Sequence, residues 1–182
     1  MIFYTGDEHY DHFNAIKQNN RPFTTSDEMN HTLITNHNSV ITDNDIVYHV
    51  GDFTLKRGKG GCSFAAHIIE QLNGEHIFVR GSHDYWAKKL NLPYMIEVMV
   101  GDHFVVLCHY AGRTWPRSHY NSWNIHGHSH GGLDPIGKQY DAGVDNNNLF
   151  PISDDAVKEI MDMSPNNFNY IPEDKRRNNS KK

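Results

Sequence analysis

The chain has 182 residues, 37% apolar and 12% aromatic, with a formal net charge of −5 and a negative mean hydropathy. That length suits one domain with a real buried core and argues against two. No apolar run approaches the ~20 residues that span a bilayer, and the acidic balance argues against a broad electrostatic footprint for duplex nucleic acid.

Residues 2 to 5 are apolar or β-prone and predict a first strand that delivers Asp7 and His9 onto the loop beyond it. The N-terminus lacks the basic start and cleavable apolar segment of a secretion signal. Two cysteines, Cys62 and Cys108, are too few for a disulfide framework and fit reduced thiols, so a cytoplasmic protein without a membrane partner is expected. Asp11 to Asn20 reads as a loop with a short helix. Ser26 is the expected N-cap of the next helix, with Asp27 and Glu28 in its first turn and Met29, Leu33, Ile34 and Val40 on its apolar face.

Ile46 to Val50 is nearly continuous in apolar character, as in a strand covered on both sides, and Gly51-Asp52 follows it. Residues 56 to 61, Lys-Arg-Gly-Lys-Gly-Gly, predict a flexible basic loop, either a solvated turn or a phosphate contact. Phe64, Ile68, Ile69 and Leu72 then repeat with helical spacing until Asn73-Gly74. A strand over Ile77 to Val79 carries the turn Gly81-Ser82-His83-Asp84, and a short helix is expected over Tyr85 to Leu90.

Residues 97 to 107 form a hairpin signature around Gly101-Asp102-His103, whose second arm ends at Cys108-His109. Tyr110 to Trp123 has no clean period. Ile125-His126 leads into Gly127-His128-Ser129-His130, a late strand is expected over Lys138 to Val144, and a final helix begins near Ser153 with Val157, Ile160 and Met161 facing inward. The expected domain covers residues 1 to 164. From Pro165 to Lys182 the chain reads as a poorly ordered basic tail, and Lys175 to Lys182 hold five of the seventeen basic side chains.

Five segments thus carry metal-ligand residue types, each after an apolar run: Asp7-Glu8-His9, Gly51-Asp52, Gly81-Ser82-His83-Asp84, Cys108-His109 and Gly127-His128-Ser129-His130. Of fourteen histidines, His9, His83, His109, His128 and His130 fall inside these segments, while His12, His49 and His126 lie beside them. Carboxylate oxygens and imidazole nitrogens suit Mn, Fe, Zn or Ni.

In chain order the segments read D-x-H, G-D, G-S-H-D, H and G-H-x-H, which resembles the calcineurin-like metallophosphoesterase superfamily from about Met1 to about Asn146. Asn20-Arg21-Pro22-Phe23 and Gly143-Val144-Asp145-Asn146 look like its small single-domain bacterial and phage members. The alternation of helices and strands gives mixed α/β. The resemblance implies a two-sheet mixed β sandwich flanked by helices, a four-layer αββα arrangement with the site in loops at one end of the strands.

It further implies two divalent ions, manganese first. Asp7, His9, Asp52 and His130 would hold one, and Asp52 would bridge to another held by His109 and His128. Such ions lower the pKa of a shared water and clamp the oxygens around a phosphorus centre, so the implied reaction is hydrolysis of a phosphodiester or phosphomonoester. In the family, the His at the place of His83 assists the leaving oxygen and the Asp at the place of Asp84 orients that His. Arg113 is a candidate phosphate clamp or an ordinary salt bridge, and Tyr110 a candidate stacking surface or loop packing. The family has Asn where this chain has Ser82, whose hydroxyl is shorter and a weaker donor. A small phosphate ester or nucleotide-like substrate is the expected partner. The competing readings are a binding module of the same fold with weakened metal chemistry, and a nuclease using Lys56, Arg57, Lys59, Arg113 and Arg117.

Overall fold

In chain order the elements are β1 (Ile2–Thr5), α1 (Phe13–Gln18), α2 (Ser26–Val40), β2 (Ile46–His49), α3 (Gly58–Ile69), β3 (Glu75–Phe78), β4 (Met95–Val100), β5 (His103–Cys108), β6 (Trp123–His126), β7 (Gln139–Asp141), β8 (Ile152–Ser153) and α4 (Asp154–Met163). This computed structural model describes residues 1–176. One sheet runs β3-β2-β1-β8 and the other β4-β5-β6-β7. In the first, β1, β2 and β3 are parallel and β8 is antiparallel to β1. In the second, β4 and β5 form the antiparallel hairpin, while β5, β6 and β7 are parallel. Both sheets are therefore mixed, and the fold is α/β with helices flanking a two-sheet sandwich.

Alternation along each strand decides what lies between the sheets. Tyr4 and Tyr48 from one sheet, with Val79 just past β3, pack with Val105, Leu107, Trp123 and Ile125 from the other, and α4 adds Val157 and Met161. A second cluster lies outside the first sheet, where Ile16 of α1, Met29 and Leu33 of α2, and Ala65 and Ile68 of α3 meet Phe53 and Trp86. Irregular chain packs against the second sheet as well: Trp115 is buried and its indole N–H donates to Ser122 O (3.0 Å), while Gly112 N–H donates to Asn124 Oδ1 (3.1 Å).

Local differences from the sequence reading have local causes. Thr25, one residue before the expected cap, accepts from Glu28 N–H (3.2 Å), and the Glu28 carboxylate reaches back to Thr24 N–H (2.9 Å). The run expected as a flexible loop enters α3 at Gly58, because Phe64, Ala65 and Ile68 downstream supply enough burial to carry the poor helix formers ahead of them. Ordered chain also continues beyond Pro165. Asn167 is 3% exposed; its side chain donates to Ser118 O (2.9 Å) and Ser122 O (3.0 Å) and accepts from Lys138 N–H (2.7 Å). The rest of the expected tail, 177–182, lies outside the described residues. Among the described residues no helix is long and apolar enough to cross a membrane.

Candidate metal centre

Parallel pairing puts the carboxyl ends of β1, β2 and β3 at one end of their sheet, and those of β5, β6 and β7 at one end of the other. Open α/β sheets bind ligands just beyond such ends. Asp7 and His9 follow β1, Asp52 follows β2, His83 and Asp84 follow β3, His109 follows β5, and His128 and His130 follow β6. The loops are laced together: Asp7 N–H donates to Gly51 O (2.9 Å), His9 N–H to Asp52 O (3.1 Å) and Gly127 N–H to His109 O (3.2 Å).

Two donor clusters result. Asp7, His9 and His130 each offer one atom within 4.8 Å of the others, and so do Asp52, His109 and His128. Asp52 Oδ2 lies between the two: 3.2 Å from His109 Nε2, 3.9 Å from His9 Nε2 and 4.0 Å from His83 Nε2. Five of the six donors, all but His109, hold positive φ, between 48° and 69°. Side chains rarely adopt that backbone, and such strain gathers at functional sites. Close approach adds a second constraint, since a methyl added at Gly81 would fall 2.2 Å from Asp52 Oδ1.

Neighbouring groups aim the imidazoles. His109 Nδ1–H donates to Val50 O (3.0 Å), leaving a bare Nε2 that faces Asp52 Oδ2 and, at 3.2 Å, His128 Nδ1. His130 Nδ1–H donates to Asp145 Oδ2 (2.5 Å), which likewise frees its Nε2. A carboxylate behind a histidine in this way fixes its tautomer and raises its basicity. Asp145 is held by the Arg21 fork, Nε to Oδ1 and Nη2 to Oδ2, both 2.8 Å, and the same guanidinium donates to Asp7 O (2.6 Å) and Glu8 O (2.8 Å). Asp141 braces the next loop, accepting from Ser129 Oγ–H (2.7 Å) and Gly131 N–H (2.8 Å).

The donors fit divalent ions. Burial, then the charges of Asp52, Asp141 and Glu8, push the Asp7 carboxyl well above its ordinary range. Its Oδ1 is buried with no hydrogen-bond partner. Burial lowers His9 to about 3, which keeps its imidazole neutral. A neutral imidazole at His9 and a carboxylate in need of a counter-charge fit a divalent ion's ligand set.

The remaining expected residues divide. His83 stands at the rim with its side chain 42% exposed, its N–H held by Asp52 Oδ1 (2.7 Å). Asp84 does not orient it, because His83 Nδ1 has no partner. Asp84 instead accepts four N–H groups: Gly81 (2.7 Å) and Asp52 (2.9 Å) on Oδ2, Phe53 (2.9 Å) and Trp86 Nε1 (2.8 Å) on Oδ1. It clamps the backbone that presents Asp52. Tyr110 lies edge-on to His128 with centroids 4.5 Å apart and is 53% exposed. Arg113 instead lies over the Phe168 ring at 4.7 Å and makes no ion pair among the described residues. Ser82 donates to Asp52 Oδ2 (3.0 Å). Nothing in the local sequence reveals the roles of Arg21, Asp141 and Asp145, although Arg21 and Asp145 sit in the family-like fragments Asn20-Arg21-Pro22-Phe23 and Gly143-Val144-Asp145-Asn146.

No family model matches the chain. It is similar in structure to a protein of unknown function, AQ665, from Aquifex aeolicus, with a TM-score of 0.67 at 24% identity over 88% of this chain and 98% of that one. A conserved uncharacterized Streptococcus pneumoniae protein, described as a predicted phosphoesterase, aligns with a TM-score of 0.40 at 15% identity over 78% of this chain and 70% of that one. In sequence the chain is 33% identical over 168 residues, 88% of its length and 91% of the relative's, to the uncharacterized protein MJ1445 of Methanocaldococcus jannaschii, and it belongs to that protein's family.

Proposed function

We propose that the chain is a metal-dependent phosphoesterase that hydrolyses a phosphodiester or phosphomonoester. The observation that carries this reading is the pair of adjacent donor clusters, Asp7, His9 and His130 beside Asp52, His109 and His128, with Asp52 Oδ2 between them. Two divalent ions held there would supply Lewis acidity toward phosphoryl oxygens and lower the pKa of the attacking water.

The protein's own groups do the rest. Asp145 and Arg21 fix His130, Val50 fixes His109, and Asp84 fixes the Asp52 turn, so the donors need no rearrangement when they are used. His83, partly exposed at the rim with its Nε2 4.0 Å from Asp52 Oδ2, is the proton donor to the departing oxygen. Tyr110 offers an exposed ring beside His128 against which an organic substituent stacks.

The test is hydrolysis of bis(p-nitrophenyl) phosphate and p-nitrophenyl phosphate with Mn, Fe, Zn or Ni supplied in turn. Turnover should require metal, and His83→Ala should lower kcat by roughly 10²–10³ with metal content unchanged. No turnover with any of the four metals would overturn the reading.

A further inference from the structure

Beside the turn that carries His83 and Asp84 lies a cavity of about 450 Å³ whose wall includes Arg57, Lys59, Lys88 and Lys89 together with Tyr85 and Trp86. That volume suits a small organic ligand. No carboxylate lines it. Among the described residues none of the four cations has an acidic partner within 4.0 Å, whereas the neighbouring Lys56 pairs with Asp11 at 2.5 Å. In a chain of net charge −5 such a one-signed wall stands out. Like charges gathered around one space repel until an anion enters, so the wall is electrostatically complementary to a multiply charged anion.

The cavity is tied to the metal centre by short links. Trp86 Nε1–H donates to Asp84 Oδ1 (2.8 Å), and Asp84 Oδ2 accepts from Asp52 N–H (2.9 Å). Tyr85 N–H donates to His83 O (2.7 Å). Arg57 is held in place with its guanidinium 4.2 Å from the centre of the Tyr85 ring. The lysine stems, Tyr85 and Trp86 make much of the wall apolar, which suits a ligand with an organic body as well as charge.

The geometry points to a subsite for a second phosphate of the substrate: on the phosphoesterase reading, on which this rests, the chain acts on a small organic molecule carrying two phosphate groups. One is cleaved at the metal centre, and the other sits among Arg57, Lys59, Lys88 and Lys89.

Calorimetric titration of the full chain with adenosine 3′,5′-bisphosphate, in EDTA so that no turnover intrudes, tests the subsite directly. Arg57→Ala and Lys88→Ala should each weaken binding by about fivefold to tenfold, and their combination more. Lys17→Ala on α1 removes the same charge elsewhere and should leave binding as it is. Circular dichroism keeps a folding defect from passing for lost binding. Unchanged binding in the double variant, or no binding by the native chain, would overturn the subsite. So would a single-stranded oligonucleotide that displaces the bisphosphate at lower concentration, since that is the behaviour of a nucleic-acid groove. Metal-dependent hydrolysis of bis(p-nitrophenyl) phosphate, measured in parallel on the native chain, reports on the phosphoesterase reading separately. Turnover without charge-dependent binding removes the subsite alone, whereas charge-dependent binding without turnover removes the assigned reaction, and with it the bisphosphate substrate, and leaves an anion site.

Discussion

Ser82 is the residue at which the chain departs from the metallophosphoesterase pattern that its motifs resemble, and its place beside Asp52 gives that departure a physical meaning. Its hydroxyl donates to Asp52 Oδ2, the oxygen that lies between the two donor clusters. An Asn there brings a longer side chain and an amide oxygen, a better donor to a hard cation. On the proposed two-metal reading, Ser82→Asn should therefore raise divalent-metal affinity and increase phosphodiester turnover, as read by manganese titration and aryl phosphodiester hydrolysis; equal metal affinity and equal rates would show the position to be indifferent. Arg21 calls for the opposite experiment. It is buried, and one planar fork satisfies both Asp145 oxygens and the carbonyls of Asp7 and Glu8. A lysine keeps the charge and loses the fork. Arg21→Lys should cost about 2 kcal/mol of stability by leaving buried acceptors unpaired, and weaken metal binding roughly tenfold through His130. Urea unfolding and metal titration check the two effects. The short motifs after apolar runs marked the loops that hold the six clustered donors, while the choice of those six over Glu8, His83 and Asp84 came only from the family resemblance. The Arg21–Asp145 pair was not legible, because its members are 124 positions apart and only the folded loops bring them together. The duty of Asp84 was also hidden, since a carboxylate that holds four N–H groups looks in sequence like one that orients a histidine.

At the scale of elements, β1, β2, β3 and the β4–β5 hairpin were legible to within about two residues from their apolar runs, whereas two-residue β8 gave no signal and β7 stops at Asp141, three residues short of the expected strand; the start of α3 was hidden too, because its glycines carry no helical signal and tertiary packing decides. A polar chain behind the first sheet was equally invisible. His76 Nε2 lies 3.4 Å from Leu72 O, His76 Nδ1 2.9 Å from His49 Nε2, and His49 Nδ1 2.8 Å from Glu8 Oε1. If His76 donates to the Leu72 carbonyl, His49 donates to His76, and Glu8 completes the line as the protonated donor to His49. Burial raising Glu8 to about 7 agrees with that direction. Burial also lowers His76 from 6.5 to about 4, and His37, ring-packed on both His49 and His76, to about 4. The unfolded chain therefore takes up a proton at His76 as pH falls below 6.5, while the folded chain holds it off until about 4. Its contribution to stability is complete above 6.5 and is lost across that window. Glu8 works against it, because the folded state holds that proton up to about 7. A comparison that removes only His76 isolates its share. His76→Gln should make the dependence of unfolding free energy on pH between 4 and 6.5 shallower by up to about 1.4 kcal/mol per pH unit, one proton's worth. Identical slopes in the two proteins would mean that His76 titrates alike folded and unfolded.

For the whole molecule, the decisive feature is that each donor cluster draws on both sheets. Asp7 and His9 come from the end of β1 and His130 from beyond β6; Asp52 comes from the end of β2 and His109 and His128 from beyond β5 and β6. At that end the backbone of the two sheets is joined where Gly6 pairs with Gly143 and Val144 N–H donates to Gly6 O (2.9 Å). Deeper in, the sheets meet through apolar side chains. Without a cation, the carboxyl of Asp7 is buried close to those of Asp52, Asp141 and Glu8, which is the source of its raised pKa and a cost to the folded state. A divalent ion would remove that cost and also cross-link the two halves of the sandwich, so binding should appear as stability of the whole fold rather than of one loop. For a ligand that binds only the folded state, concentration at a hundred times Kd adds about 2.7 kcal/mol per site. The unfolding midpoint should climb with added manganese, fall on EDTA and recover when the metal is restored, with both sheets melting in one transition. Asp7→Asn is the informative control. It should raise the metal-free midpoint by removing the uncompensated carboxyl and at the same time flatten the response to manganese. A variant that lost the metal-free gain yet kept the full response would show that Asp7 neither bears the electrostatic cost nor holds the ion.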